Sequence, residues 1–198
     1  MSQNIEIEFK NMLTKEEYER FLLEFNIDKS QIFSQENHYF DTPDFTLKEL
    51  GSALRIRKKQ RSFEMTLKQP AAVGILETNQ TLSYKEAEQA IHSRKLPAGL
   101  IQNLLKKENV NFSTIEYFGS LSTNRVELAY KNGLLVLDQS FYLNKEDFEL
   151  EYEVENYQEG KRVFLELLNQ FQIPERKTDN KIRRFYHQKY KQQNLLDI

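Results

Sequence analysis

Residues 5–10 read Ile5-Glu6-Ile7-Glu8-Phe9-Lys10. Successive side chains of an extended strand point to opposite faces, so Ile5, Ile7 and Phe9 form an apolar row and Glu6, Glu8 and Lys10 a charged one. Glu6 and Glu8 would then lie roughly 7 Å apart, close enough for one divalent cation above them to be reached by both. A strand that merely shows its polar side to water carries the same pattern. The other strands decide between the two.

A chain of 198 residues can bury one full core, and no Pro-, Gly- or Ser-rich stretch divides it, so a single domain spanning residues 1–198 is expected. Its 28 basic and 30 acidic residues leave a formal charge of -2, which gives no electrostatic case for nonspecific binding to nucleic acid or membrane. Function must therefore follow from where charges sit. The absence of cysteine excludes a disulfide framework and a thiolate metal site. Met1-Ser2-Gln3-Asn4 is not a basic region leading into an apolar stretch, and no apolar run of about 18 residues occurs. A soluble, cytoplasmic protein is expected.

Working outward, Thr14-Lys15-Glu16-Glu17 has the form of a capping box, with Tyr18, Phe21, Leu22 and Phe25 at helical spacing behind it, which predicts a helix from about Lys15 to Glu24. An extended segment over 31–40 runs into a turn set by Asp41 and Pro43. In 53–58, Leu54 and Ile56 face one way and Arg55 and Arg57 the other. Residues 63–68 pair with it as a hairpin, and 75–80 could resume the pairing, although its alternation is poor. Ser83-Tyr84-Lys85-Glu86 is a second capping box, opening a helix that should stop near Pro97, with a short helix from about Leu100 to Lys107 after it. Strands follow at 117–128 and 133–138 around the turn Lys131-Asn132-Gly133. Residues 148–155 alternate without a break, with Glu149, Glu151, Glu153 and Glu155 on one face. Helical periodicity over 159–171 ends at Pro174, and Asp179 is expected to cap a last helix holding Lys181, Arg183, Arg184 and Tyr186.

The sorting of charge argues against a wet face. The charged rows are acidic at Glu6 and Glu8, basic at Arg55, Arg57 and Lys68, and acidic again from Glu149 to Glu153, whereas a solvated sheet mixes signs between neighbours. Carboxylates stacked in one row repel and raise one another's pKa unless cations compensate them. The expected architecture is therefore α+β and mainly antiparallel, with roughly eight strands closed into a barrel that has a charged lumen, helices packing on the apolar rows outside. A lumen with carboxylates on one wall and Arg and Lys on the other suits a polyanion chelated to a divalent metal, and hard oxygen ligands favour Mg2+ or Mn2+.

With Glu6-Ile7-Glu8-Phe9-Lys10 as the signature, the chain resembles the CYTH or triphosphate tunnel metalloenzyme superfamily. The resemblance continues through Asn37-His38-Tyr39-Phe40-Asp41-Thr42, Leu54-Arg55-Ile56-Arg57, Thr66-Leu67-Lys68, Arg125, Leu137-Asp138, Glu149-Leu150-Glu151-Tyr152-Glu153 and Lys181. It implies an eight-stranded antiparallel tunnel, in a superfamily of inorganic, thiamine and RNA triphosphatases and a class of adenylyl cyclases. It assigns Lys10, Arg55, Arg57, Lys68, Arg125 and Lys181 to the triphosphate. It assigns Glu6, Glu8, Asp138, Glu149 and Glu151 to the metal, with Glu153 as a further ligand on the same face. Glu77 departs from the more strongly charged strand of relatives and receives no role, and Arg184, one helical turn from Lys181, could reach the tunnel mouth or pair with a surface acid, the surface being preferred.

Other residues take plainer readings. His38 lacks a second histidine at ligand spacing and is read as packed or hydrogen-bonded, Tyr39-Phe40 as core, and Lys58-Lys59 and Lys106-Lys107 as solvated charge. No nucleophile elbow or P-loop occurs. The expected activity is metal-dependent hydrolysis of a small triphosphate, inorganic triphosphate first, by a monomer or homodimer. Glu6, Glu8, Lys10, Arg57 and Glu151 would be its catalytic residues, with a carboxylate of the 149–153 row or a second ion orienting the attacking water. Thiamine triphosphatase or adenylyl cyclase activity, or a noncatalytic polyphosphate-binding module, stand as alternatives.

Overall fold

The structure, a computed structural model, describes residues 2–93 and 95–196. The strands are β1 (Ser2–Leu13), β2 (Phe33–Asp41), β3 (Ala53–Lys59), β4 (Ser62–Pro70), β5 (Ile75–Leu82), β6 (Glu116–Tyr130), β7 (Gly133–Tyr142) and β8 (Lys145–Val154). The helices are α1 (Lys15–Glu24), α2 (Thr46–Glu49), α3 (Tyr84–Ser93), α4 (Leu100–Lys107), α5 (Tyr157–Gln170) and α6 (Lys181–Leu196). The hydrogen-bonded strand order is β1-β5-β4-β3-β2-β6-β7-β8, and it closes into a barrel. Closure passes through β1, whose residues 2–6 pair antiparallel with β5 and whose residues 7–13 pair antiparallel with β8.

The chain groups into two compact units, residues 1–6 with 35–120 and residues 7–34 with 121–198. Each has its own apolar core. In the first, Leu54, Ile56, Phe63, Met65 and Leu67 of β3 and β4 pack with Ala87 and Ala90 of α3 and Ile101 and Leu105 of α4. In the second, Val126, Leu135, Leu137, Phe148, Leu150 and Tyr152 pack with Tyr18 and Phe21 of α1 and Val163, Phe164, Leu167 and Leu168 of α5. Period-two alternation puts one row of each strand under helices, and the charged row is left on the other face. That is the face expected to line the lumen.

The local signals account for most boundaries. At α1 the Thr14 hydroxyl accepts from the Glu17 N–H at 3.2 Å and the Glu17 carboxylate accepts from the Thr14 N–H at 2.8 Å; Ser83 and Glu86 make the same reciprocal pair at α3. One expectation is corrected. Asn180, not Asp179, caps α6, its side chain accepting from the Arg183 N–H at 3.0 Å and its carbonyl from the Arg184 N–H at 3.1 Å. The one-turn helix α2, which has no periodicity to announce it, is held by the buried Asp41. That carboxylate accepts from the backbone N–H groups of Thr42, Leu47 and Lys48 at 2.8–3.1 Å. No described helix is long and apolar enough to cross a membrane.

Candidate functional site

The charged face of the first unit is built from neighbouring strands in register. Lys68 on β4 stands opposite Glu77 on β5. Its ammonium lies 2.8 Å from that carboxylate and 2.5 Å from Glu6 on β1. Arg55 on β3 approaches Glu77 to 3.7 Å. Burial would raise the Glu77 pKa, but Lys68 and Arg55 outweigh it and hold the carboxyl below its usual range. Glu77, given no role above, is thus a buried member of the basic cluster. Arg57 donates from Nε to Oδ1 of the buried Asn37 at 3.0 Å, which fixes the plane of its guanidinium.

The second unit holds a denser cluster. Antiparallel register sets Lys10 opposite Glu151, Glu8 opposite Glu153, Arg125 opposite Asp138 and Asp138 opposite Glu149. Lys10 meets Glu8 at 2.5 Å. Arg125 makes a fork on Asp138, Nε to Oδ1 at 2.8 Å and NH2 to Oδ2 at 2.5 Å, and reaches Glu151 at 2.9 Å. Lys181, the first residue of α6, places its ammonium 2.8 Å from Asp138, 2.5 Å from Glu149 and 2.6 Å from Glu151. Burial works against charge on Lys181, Lys10 and Arg125, yet the carboxylates overcome it and raise all three pKa values. The same exchange of forces, burial opposed by Lys181, Arg125 and Lys10, holds Glu151 well below the usual carboxylate range.

Arg184 is not at the surface. It is 9% exposed and donates to Asp147 at 3.1 Å and 3.4 Å, to Glu149 at 3.0 Å and 3.2 Å and to the Asp179 carbonyl at 2.6 Å. Burial opposes its charge, and Glu149 and Asp147 more than compensate, raising its pKa. Asp147 also accepts from the Tyr142 hydroxyl at 2.6 Å. Asp147 is a member that the sequence reading missed, and Arg184 one for which it preferred a surface ion pair to the tunnel mouth. Asp147 continues the period-two row of Glu149 to Glu153 by one step, and Arg184 lies one helical turn from Lys181, so both signals were present.

Asp138, Glu149 and Glu151 each offer a carboxylate oxygen, all within 4.8 Å of one another. A hard, all-oxygen donor set suits Mg2+ or Mn2+, and the space between the three carboxylates is taken here by the Lys181 ammonium. Glu153 is half-buried, and Glu6 and Glu8 each engage a lysine. His38 is 7% exposed with Nε2 3.5 Å from Glu36, and burial, only partly offset by Glu36, lowers its pKa. It belongs to the packed histidines and not to the acidic cluster. Tyr39 and Phe40 are buried, whereas Lys58, Lys106 and Lys107 are exposed.

Residues 4–186 match the family profile described as the CYTH domain. The chain is 49% identical, over 96% of its length and 99% of the relative's, to the Bacillus subtilis protein named "Putative triphosphatase YjbK". It is 43% identical to a crystal structure described as a putative adenylate cyclase from Bacillus halodurans, with a TM-score of 0.91 over 94% of this chain and 100% of that one. A Hippeastrum protein described as a putative adenylyl cyclase with a dominant triphosphatase activity shares the fold at 19% identity, with a TM-score of 0.76 over 92% of this chain and 96% of that one.

Proposed function

Because the chain belongs to the CYTH domain family, we propose that it is a divalent-metal-dependent triphosphatase acting on a small triphosphate, inorganic triphosphate first. The observation that carries this reading is the cluster of Lys10, Arg125 and Lys181 around a carboxylate triad whose oxygens lie within 4.8 Å. Cations and hard oxygen donors then occur on the same strand face, which is what a metal-chelated polyanion requires. The resemblance to a relative named as a triphosphatase, at 49% identity, agrees with it.

The triphosphate is bound by Lys10, Arg55, Arg57, Lys68, Arg125 and Lys181, whose charge offsets that on the phosphoryl oxygens as the bond to the leaving group stretches. Asn37 sets the plane of Arg57, and the fork of Arg125 is set by Asp138. Glu6, Glu8, Asp138, Glu149, Glu151 and Glu153 are the residues that would hold Mg2+ or Mn2+, which when bound supplies further neutralisation of the phosphates. Glu151 stays ionised far below neutral pH, so it serves to orient the attacking water by accepting its hydrogen bond and is a weak proton acceptor. The protein acts in the cytoplasm, as monomer or homodimer, without nucleic acid or membrane.

Phosphorus NMR of the products tests the reading. Inorganic triphosphate should give phosphate and pyrophosphate, and Glu6→Gln and Glu8→Gln should abolish turnover while the circular dichroism stays that of the wild type. Full activity in both variants would remove these carboxylates from the reaction. The 43% identical relative described as a "putative adenylate cyclase" supports a second reading, and cyclic AMP with pyrophosphate as the products of ATP would establish it in place of the first.

A further inference from the structure

The three carboxylates offered to a metal are the three that hold Lys181. One ammonium with three N–H donors meets Asp138, Glu149 and Glu151, each at 2.8 Å or less. A divalent cation that reached all three would stand where that ammonium stands, with Arg125 already forked onto Asp138 and Arg184 onto Glu149. Like charges at such separations repel strongly in a buried site. We propose that Lys181 is the built-in counter-ion of the triad, seated there by Arg184, and that the triad accepts a divalent cation only when a triphosphate draws the ammonium away.

The seating has a physical cause. A cation in the first turn of a helix opposes the helix dipole, and α6 opens with Lys181, Arg183 and Arg184 and with no acidic residue in that turn. The position is explained by what the side chains meet on β7 and β8. Arg184 ties the turn to Asp147 and Glu149 and to the Asp179 carbonyl just ahead of the helix, and the Tyr142 hydroxyl orients Asp147 in turn. This is a positioning role, exerted through Lys181 and Glu149. The exchange would make metal and triphosphate enter together: the phosphates offer Lys181 a new anionic partner as its old ones turn to the metal. That second half rests on the triphosphatase reading, whereas the exclusion of free metal concerns the protein alone.

Mn2+ binding to substrate-free protein, read by electron paramagnetic resonance, tests the exclusion. Lys181→Met should bind one additional Mn2+ per chain, roughly tenfold or more tighter than the wild type does there. Lys181→Met with Glu149→Gln should lose that ion again. Arg184→Gln, in which the turn is unseated, should gain part of the same site, and wild-type behaviour in this variant would remove Arg184 from the device. Equal Mn2+ binding by wild type and Lys181→Met, or a gain that survives Glu149→Gln, would overturn the proposal.

A second measurement needs no variant. In the wild type, the NMR signal of the Lys181 ammonium should be unmoved by Mg2+ alone and shifted by Mg2+ together with a nonhydrolysable triphosphate; displacement by Mg2+ alone would also overturn the proposal. Phosphate release is a separate readout. A protein that hydrolyses no triphosphate yet gains the Mn2+ site in Lys181→Met keeps the counter-ion and loses the triphosphatase. Hydrolysis without that gain has the opposite meaning.

Discussion

Asp138 is completely buried, and both Arg125 and Lys181 lean on its carboxylate. Removing one partner of a buried ion pair leaves the others desolvated and unmatched, so Asp138→Asn should cost about 3 kcal/mol or more, read as a lower urea midpoint at unchanged slope. His38 gives a pH signature of defined sign. Its folded pKa is depressed, so the unfolded chain binds the proton more readily, and stability present above about pH 6.5 falls as pH drops through that value toward the folded pKa. Thermal melts at pH 7.5 and 5.5 should show a loss in the wild type that His38→Asn lacks. At this scale the sequence exposed the charged residues by type and spacing but not their partners. The sequence leaves Arg184 between the surface and the tunnel mouth because Asp147 and Glu149 are more than thirty residues away along the chain and come to it only through β8.

Elements were legible where one face of a strand or helix is uniformly apolar. The β8 segment alternates without interruption, and its apolar row is the core row. The β5 segment alternates poorly for a reason that only tertiary structure supplies. Thr78 and Gln80 lie in the same row as the core residues: the Thr78 hydroxyl accepts from Gln3 at 2.8 Å and the Gln80 amide donates to the Ala98 carbonyl at 3.1 Å, while Gln80 Oε1 is buried without a hydrogen-bond partner among the described residues. Gly133 was read as a turn glycine, yet a β-carbon there would lie 2.6 Å from the Glu153 carbonyl oxygen and from the Tyr152 ring. Close approach makes the glycine necessary. The same holds within α5, where a β-carbon on Gly160 would sit 2.4 Å from a Val154 methyl and 3.0 Å from the Phe9 ring. Gly160→Ala should therefore push α5 off β8 and β1 and cost about 1–3 kcal/mol, despite the better helix propensity of alanine. Chemical denaturation checks it, and a stabilised variant would mean that α5 packs less closely than these distances state.

For the whole molecule, closure was legible in the sorting of charge by strand, because acidic and basic rows of that length, once taken out of bulk water, are stable only in each other's company. We propose that residues 1–198 behave as one domain. Strand β1 gives residues 2–6 to the sheet of one unit and residues 7–13 to that of the other, so neither keeps its full complement of strands if its counterpart unfolds. A single transition, coincident by far-ultraviolet circular dichroism and tyrosine fluorescence, is expected; two separated transitions would show that the units fold independently. What the charged faces are for is tested most directly by phosphate release from inorganic triphosphate, in the presence of Mg2+ or Mn2+ and in EDTA, for the wild type and Arg57→Ala. Metal-dependent release that EDTA abolishes and Arg57→Ala reduces by roughly a hundredfold or more is the predicted result. Release that persists in EDTA, or none from any triphosphate with metal present, would contradict the account.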